Sequence, residues 1–330
     1  MFSSSRLPFY IGGMKKLLFI LSVAFASLPG MAQVTWSPSP QHQQGLPSSV
    51  KIFTTSDSLD GKPFKAYYLE ADLKDPKLEV LTRVGNGKRY TPKQYYEQES
   101  GNVLAVVNTT FFSFADNRNL NLVISDGKVL APQATVKRKN PKGTDTLTYY
   151  PTTGAIGFFR NRTADIAWAY NMGKKKKTMQ LAAPYTIEVN GKPAPEPTKR
   201  TAKGLKRWKP QTAVGGGPVL VQNGKVHITA EEEMRGGAGF RGPNPRTVIG
   251  YTPDQKLIIL MVEGRNKGIA EGASLDQLAN LMVGLGCQEA LNLDGGGSSA
   301  LYVKGKDTIK PSDKEGHRPV PAVLVLKYKE

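Results

Sequence analysis

Apolar and polar positions along this chain fall into short segments set between turn residues, the pattern of a protein built mainly from β-strands. Residues 64–73 (FKAYYLEADL) and 78–84 read as strands, the second alternating apolar and polar positions as a half-buried sheet does. Thr91-Pro92-Lys93-Gln94 supplies an N-cap, a proline at the first helical position and a capping-box glutamine, which predicts a short helix to about Glu99. Residues 103–107 (VLAVV) are wholly apolar, a buried strand that delivers Asn108-Thr109-Thr110-Phe111-Phe112 at its end. Asp126-Gly127, Asn161-Arg162, Asn190-Gly191 and Asn223-Gly224 each sit between β-prone stretches and mark hairpins. The middle of the chain is therefore expected to be mostly antiparallel sheet, with the charged stretches 174–177 and 193–207 read as solvated loops.

The last third changes character. Strands at 247–251 and 257–262 (LIILMV) flank a Pro253-Asp254 turn. Ser274-Leu275-Asp276-Gln277 is a capping box opening a helix with apolar Leu275, Leu278, Met282 and Leu285, closed by Gly286. A strand at 290–293 (ALNL) ends in Asp294-Gly295-Gly296-Gly297-Ser298-Ser299, and 300–303 returns as sheet. Strand 257–262, this helix and strand 290–293 have the lengths of a β-α-β unit, which would make the two strands parallel. If they are neighbours, ~4.8 Å apart, Glu263 and Asp294 emerge at one sheet edge within the ~5–9.5 Å window of paired glycosidase carboxylates. The fold class expected is α+β: one large domain with a mixed, mostly antiparallel sheet system, few helices and that β-α-β unit near the C-terminus.

Composition narrows the function. The 330 residues carry 45 Lys+Arg against 27 Asp+Glu, a net charge of +18, with 39% hydrophobic residues. That is a globular composition rather than a disordered or fibrous one, and its surface favours anionic partners. One cysteine, Cys287, excludes an intramolecular disulfide and a cysteine-rich zinc site, and it reads as a buried inert thiol. The three histidines, His42, His227 and His317, form no H-E-x-x-H.

From Met14 the sequence runs MKKLLFILSVAFASLPGMAQ: basic Lys15 and Lys16, about a dozen apolar residues, then small Gly30 and Ala32. This is the pattern of an export signal cleaved after Ala32, and its apolar stretch is shorter than the ~20 residues that span a bilayer. The expectation is residues 1–32 as leader and signal peptide, 33–49 as a linker or loosely packed lead-in, and 50–330 as the catalytic domain. Removing 1–32 deletes Arg6, Lys15 and Lys16, leaving 18 − 3 = +15. Export to the periplasm or the exterior, with no integral membrane segment left, argues against a nucleic-acid partner.

Three consecutive glycines, Gly295, Gly296 and Gly297, lose much backbone entropy on ordering, and the usual compensation is close approach of main-chain amides to an anion. Ser298 and Ser299 add hydroxyls beside them. A second run, Gly215-Gly216-Gly217 before Pro218, could serve the same pocket, and Arg246 and Arg318 are the arginines suited to phosphate oxygens. Gly237-Ala238-Gly239-Phe240-Arg241-Gly242 matches G-x-G-x-x-G but has no strand before it or helix after it, and is rejected as a nucleotide site.

Taken in order, 213–220 (AVGGGPVL), 244–250 (NPRTVIG), Glu263-Gly264-Arg265, Gly272-Ala273-Ser274, 292–299 (NLDGGGSS) and Arg318-Pro319-Val320 resemble the signature of the phosphodiester glycosidase family, over about residues 100 to 326. Asn108-Thr109-Thr110-Phe111-Phe112 is similar to the family's earlier Asn-Gly-Gly-(Phe/Tyr)-Phe element, with threonines in place of the glycines, and Glu263 stands where the family has Asp. The resemblance implies hydrolysis of a sugar-1-phosphodiester in a phosphorylated carbohydrate, releasing sugar and leaving a phosphomonoester. With the residue chemistry it assigns Asp294 as nucleophile or general base and Glu263 as partner acid or orienting group. Arg246, Arg318 and the 295–298 backbone would hold phosphate, and Asn108 the sugar hydroxyls. No cofactor is required, although the Asp294–Glu263 edge would admit a divalent cation. Two alternatives remain open on the sequence: a non-catalytic envelope module that binds anionic or phosphorylated glycans, and a phosphodiesterase that cuts P–O. The sugar and the oligomeric state are open as well.

Overall fold

In the computed structural model, residue 1 and residues 34–141, 143–173 and 176–330 are described; the expected signal segment, apart from Met1, lies outside them. The hairpin dipeptides act as their chemistry dictates. Asp126, Asn190 and Asn223 each take positive φ followed by a positive-φ glycine, the conformation that turns a two-residue hairpin with the right twist. They close the strand pairs Val123–Ser125 with Lys128–Ala131, Glu188–Val189 with Lys192–Pro193, and Val219–Gln222 with Lys225–Val226. Arg162, at φ 63°, turns Thr153–Phe158 into Ala164–Met172. Asp60-Gly61 forms an unanticipated turn of the same kind, joining the ladder of Val50–Leu59 and Lys62–Asp72.

Three sheets carry the fold. The first has eight strands in the order Ser37–Pro38, Val50–Leu59, Lys62–Asp72, Lys256–Val262, Arg246–Tyr251, Glu289–Asn292, Val219–Gln222 and Lys225–Val226. The second orders seven strands from Lys206–Arg207 through Lys177–Leu181, Ala164–Met172, Thr153–Phe158, Thr212–Gly215 and Val123–Ser125 to Lys128–Ala131. The third orders five: Lys306–Asp307, Leu301–Val303, Asn102–Asn108, Ala322–Tyr328 and Leu78–Val84. Neighbouring strands in all three pair antiparallel. One core lies where the sheets face each other and joins Leu69, Ile249, Ile259 and Leu291 of the first to Ile156, Trp168 and Val214 of the second and Leu104, Leu324 and Leu326 of the third.

Both expected helices form on their capping boxes, Pro92–Gln98 behind Thr91 and Leu275–Gly284 behind Ser274, and Gly286 follows the second with φ 79°. The longer helix buries Leu275, Leu278, Ala279 and Met282 on the outer face of the first sheet. The adjacent-strand β-α-β unit does not form. Lys256–Val262 folds back as a hairpin onto Arg246–Tyr251, and Glu289–Asn292 then pairs with the free side of Arg246–Tyr251. The two strands share a direction, but a whole strand separates them, so Glu263 and Asp294 leave the sheet two strand spacings apart rather than one.

The lead-in before Val50 is packed. Ser37–Pro38 pairs with Thr54 and Phe53, Ser39 and His42 are buried, and the His42 ring bonds the Ser39 hydroxyl at 2.9 Å and the Asp307 carbonyl at 3.0 Å. Of the stretches read as solvated loops, 174–177 ends on the first residue of the strand Lys177–Leu181 and 193–207 ends in the strand Lys206–Arg207, both in the second sheet. No helix among the described residues is long and apolar enough to cross a membrane.

Candidate active site

Asp294 leaves the sheet just past Glu289–Asn292 and is pinned by its main chain. Its N–H donates to the Thr109 carbonyl at 2.8 Å, and its own carbonyl accepts the Asn108 side-chain amide at 2.6 Å. The Asn108 side-chain oxygen accepts the Thr247 hydroxyl at 2.8 Å and the Ala300 N–H at 3.1 Å. Asn108 is fully buried, so its amide joins the ends of three strands; it is turned away from the role on sugar hydroxyls expected for it.

The Asp294 carboxyl accepts the N–H of Gly295 at 3.0 Å. Burial pushes its pKa up to about 6; the Ser298 hydroxyl, Arg318, the Gly295 amide and Arg235 pull the other way without cancelling it. The glycine run folds into a 3-10 turn, Gly296–Ser298, stapled to the neighbouring strand by the Gly296 N–H on the Pro245 carbonyl. Gly297 has no room for a side chain: a Cβ there would stand 2.2 Å from the Arg318 guanidinium and 2.3 Å from the Asp313 carboxylate. The hydroxyls of Ser299 and Thr109 and the side-chain oxygen of Asn292 are buried with no protein partner, an arrangement that costs free energy unless water or a ligand completes it.

Asn292, Asp294 and the Gly295–Gly297 run border a cleft of about 260 Å³ that also takes in Phe111, Phe240, Asn244, Arg246, Arg265 and Arg318. Arg318 is clamped in a two-pronged ion pair with Asp313, Nε and Nη2 donating at 2.8 and 3.1 Å, and lies over the Phe114 ring. Arg265, itself at φ 60°, bonds Asn244 at 3.1 Å and rests on Gly296. Arg246 donates Nε to Ala273 and Nη2 to Phe240 and Gly242, all main-chain carbonyls, which fastens the loop beneath the cleft. Burial and the neighbouring Arg265 pull its guanidinium down to about 10. Arg235 stacks 4.1 Å over Phe111, its pKa lowered by burial against the opposing pull of Glu233 and Asp294.

Glu263 is not among the cleft residues. It is buried, its Oε2 accepts the Lys310 N–H at 3.0 Å and pairs with Lys65 at 3.3 Å, and so it anchors the 306–310 segment. The second triple-glycine run is absent from the cleft too. The amides of Gly215, Gly216 and Gly217 are spent on the carbonyls of Leu122, Gly154 and Asn292, and a Cβ on Gly216 would stand 2.3 Å from the Asn292 oxygen. These glycines let two strands approach closely; they leave no amide for phosphate. Among the described residues no three His, Cys, Asp or Glu side chains converge to hold a metal. With Glu263 committed to Lys65 and Lys310, the Asp294–Glu263 edge does not fit a divalent cation.

Sequence reasoning passed over Arg235, Arg265, Asp313 and Glu233. Arg265 was legible, since it ends the Glu263-Gly264-Arg265 element. Arg235 and Glu233 lie in the charged run EEEMR, where nothing local separates a buried pair from a solvated face. Glu233 is wholly inside, its two oxygens accepting the Gly154 and Val219 amides, the Trp168 indole and the Thr229 hydroxyl, and burial raises its pKa.

Residues 101–327 match the phosphodiester glycosidase family model. The chain belongs to the phosphodiester glycosidase family. A stretch of 103 residues is 30% identical to the Bos taurus N-acetylglucosamine-1-phosphodiester alpha-N-acetylglucosaminidase, covering 28% of this chain and 19% of that protein. Another of 96 residues is 34% identical to the SPbeta prophage-derived uncharacterized protein YomE of Bacillus subtilis (strain 168), covering 29% of this chain and 15% of that one. The chain thus aligns with less than a fifth of either relative's length. In fold it is similar to the catalytic domain of the zebrafish N-acetylglucosamine-1-phosphodiester alpha-N-acetylglucosaminidase auto-inhibited by its pro-peptide, with TM-score 0.56 and 18% identity over 90% of this chain and 89% of that one. A hypothetical protein from Synechocystis has the same TM-score at 16% identity over 85% of this chain and 62% of that one. The glycosidase family model takes in Asn108, the glycine runs, Asp294 and all four arginines.

Proposed function

We propose that the protein is an exported glycosidase that hydrolyses a sugar-1-phosphodiester to free sugar and a phosphomonoester. The observation that carries this reading is a carboxyl pushed up to about 6 inside a small cleft bordered by arginines. A phosphodiester at an anomeric carbon needs negative charge against the developing oxocarbenium ion and positive charge against the departing phosphate. Asp294 fits the first need, acting on the anomeric carbon as nucleophile or through an activated water. Arg265 and Arg318 fit the second, with the Ser298 and Ser299 hydroxyls as donors to oxygens of the substrate. A phosphomonoester leaves readily without a proton, so a cleft with no second carboxylic acid among the described residues that line it is consistent with this bond and less so with an ordinary glycoside.

Hydrolysis of an aryl or alkyl sugar-1-phosphodiester in ¹⁸O-water tests the reading. Label is expected in the sugar and none in the phosphate, with turnover abolished in Asp294→Asn. Label in the phosphate would establish cleavage of P–O instead, and binding of the diester by wild-type protein without turnover would leave a glycan-binding module.

A further inference from the structure

Away from the cleft, the outer face of the second sheet carries a basic groove. It is about 610 Å³ in volume and lined by Lys128, Lys176, Lys177, Arg207 and Lys209 with no acidic residue. All five cations are exposed, and none has a carboxylate within ion-pairing distance among the described residues. Their grouping comes from the fold: Lys128–Ala131 and Lys206–Arg207 are the opposite edges of the seven-stranded sheet, and the groove touches both. The sheet therefore curls until charges from its two ends face one space. Five like charges held together raise one another's energy, and a folded protein that keeps them unpaired is disposed to gain from a multivalent anion.

A second groove, about 710 Å³, shares Lys176 with the first and is lined by amide side chains including Asn117, Asn119, Gln133 and Asn171, together with two carboxylates that already have partners, Asp116 on Arg118 and Glu196 on the Tyr170 hydroxyl. Only one layer of chain divides it from the cleft. Asn119 accepts the Thr110 hydroxyl, and Asn121 reaches toward Gln133 on one side while accepting the Phe111 N–H and Arg235 on the other. The order in space is thus Asp294 cleft, amide-lined groove, basic groove.

We propose that the two grooves are one extended binding track for the anionic chain of a phosphodiester-linked glycan, whose end enters the cleft. The inference rests on the hydrolase reading for the cleft but not for the track. Amides suit sugar hydroxyls and the lysines suit repeated phosphates. A nucleic acid fits less well, because single strands bind by stacking bases on exposed rings. The one aromatic side chain bordering the basic groove, Trp208, is only 2% exposed and packs where Gly157 leaves space for it.

The test uses the full chain and a fluorescent oligomer of hexoses joined by phosphodiesters, with binding measured in the Asp294→Asn background so that the probe is not consumed. The combined variant Lys128→Glu, Lys177→Glu, Arg207→Glu and Lys209→Glu should raise the Kd for the oligomer at least about tenfold and reduce its salt sensitivity, since fewer cations neutralise its phosphates. A parallel set of glutamine replacements, checked for an unchanged thermal transition, guards against misfolding and should weaken binding in the same direction. With Asp294 restored, kcat/KM on a small aryl sugar-1-phosphodiester should stay at the wild-type value in both sets, since that substrate fills the cleft alone. Unchanged oligomer affinity in both variants overturns the track, as does single-stranded DNA of equal charge binding wild-type protein as tightly as the oligomer. Absence of turnover of the small substrate by wild-type protein would instead remove the hydrolase reading and leave the binding result to judge the track by itself.

Discussion

The side-chain amide of Asn108 holds the main-chain carbonyl of Asp294 at 2.6 Å, so the residue at the end of one apolar strand sets the position of the carboxylate at the end of another, 186 residues on. Asn108→Ala would leave that carbonyl and the Ala300 amide unpaired inside the protein and the Thr247 hydroxyl with only the Met261 sulfur, at about 1–3 kcal/mol for each group left unpaired where water cannot reach. The expected outcome is a loss of several kcal/mol of folding free energy in a denaturant melt. Any surviving activity should show a depressed kcat with little change in KM. A raised KM at constant kcat would return Asn108 to the substrate.

Asp294 links activity to stability. Its folded pKa is raised from 3.8 to about 6, so between these values the folded state holds a proton that the unfolded state has lost. Stability therefore falls as pH rises through that window, and above about 6 the full penalty of roughly 3 kcal/mol applies. Asp294→Asn should abolish turnover and also raise the melting temperature at pH 7, with little gain at pH 4. In the wild type, kcat/KM should climb with pH through about 6 as the carboxylate ionises. An activity profile flat from pH 5 to pH 7 would show that the ionised form is not what reacts.

Glu263 should behave as an anchor. Glu263→Gln removes the ion pair with Lys65 and weakens the hold on the Lys310 amide. Stability should drop by about 1–2 kcal/mol while kcat changes by less than about tenfold. A fall in kcat of about 10²-fold or more, the size of a lost acid or base, would give it a chemical role after all.

Arg318 presents a fork that Asp313 holds in place against Gly297. Arg318→Lys keeps the charge but loses the paired geometry, so inhibition by the phosphomonoester product should weaken about tenfold or more. Gly297→Ala, which drives a methyl group into the same ion pair, should weaken it in parallel. Inhibition constants measured on both variants check the pairing.

Glu233 is a further buried acid whose replacement should be costly. Its carboxylate serves four donors, whereas Gln would turn an N–H₂ group toward at least one of them. Glu233→Gln should destabilise the protein by about 1–3 kcal/mol in a thermal melt.

Local chemistry made much of the fold legible. Thr91 with Gln94 and Ser274 with Gln277 start their helices wherever the rest of the chain goes, and Asp126-Gly127, Asn190-Gly191 and Asn223-Gly224 reverse direction because their backbones tolerate positive φ. Apolar runs such as 103–107 and 257–262 have to be buried in any fold this chain adopts. What local chemistry does not contain is the choice of partner. Lys256–Val262 pairs first with its hairpin neighbour Arg246–Tyr251, and that choice separates Glu263 from Asp294 and leaves the acid beside Lys65 and Lys310.

The same limit explains the glycines and arginines. Two triple-glycine runs look alike in sequence. Gly295–Gly297 turns at an open cleft beneath Arg265 and Arg318, while Gly215–Gly217 is pressed between strands with each amide already bonded. Sequence alone identified the ordered motifs, the helix starts and most of the turns, and put forward Asp294 and Glu263 together as candidate carboxylates. Only the tertiary structure decided which charges share a cavity, because burial, pKa and hydrogen-bond satisfaction depend on residues more than a hundred positions apart.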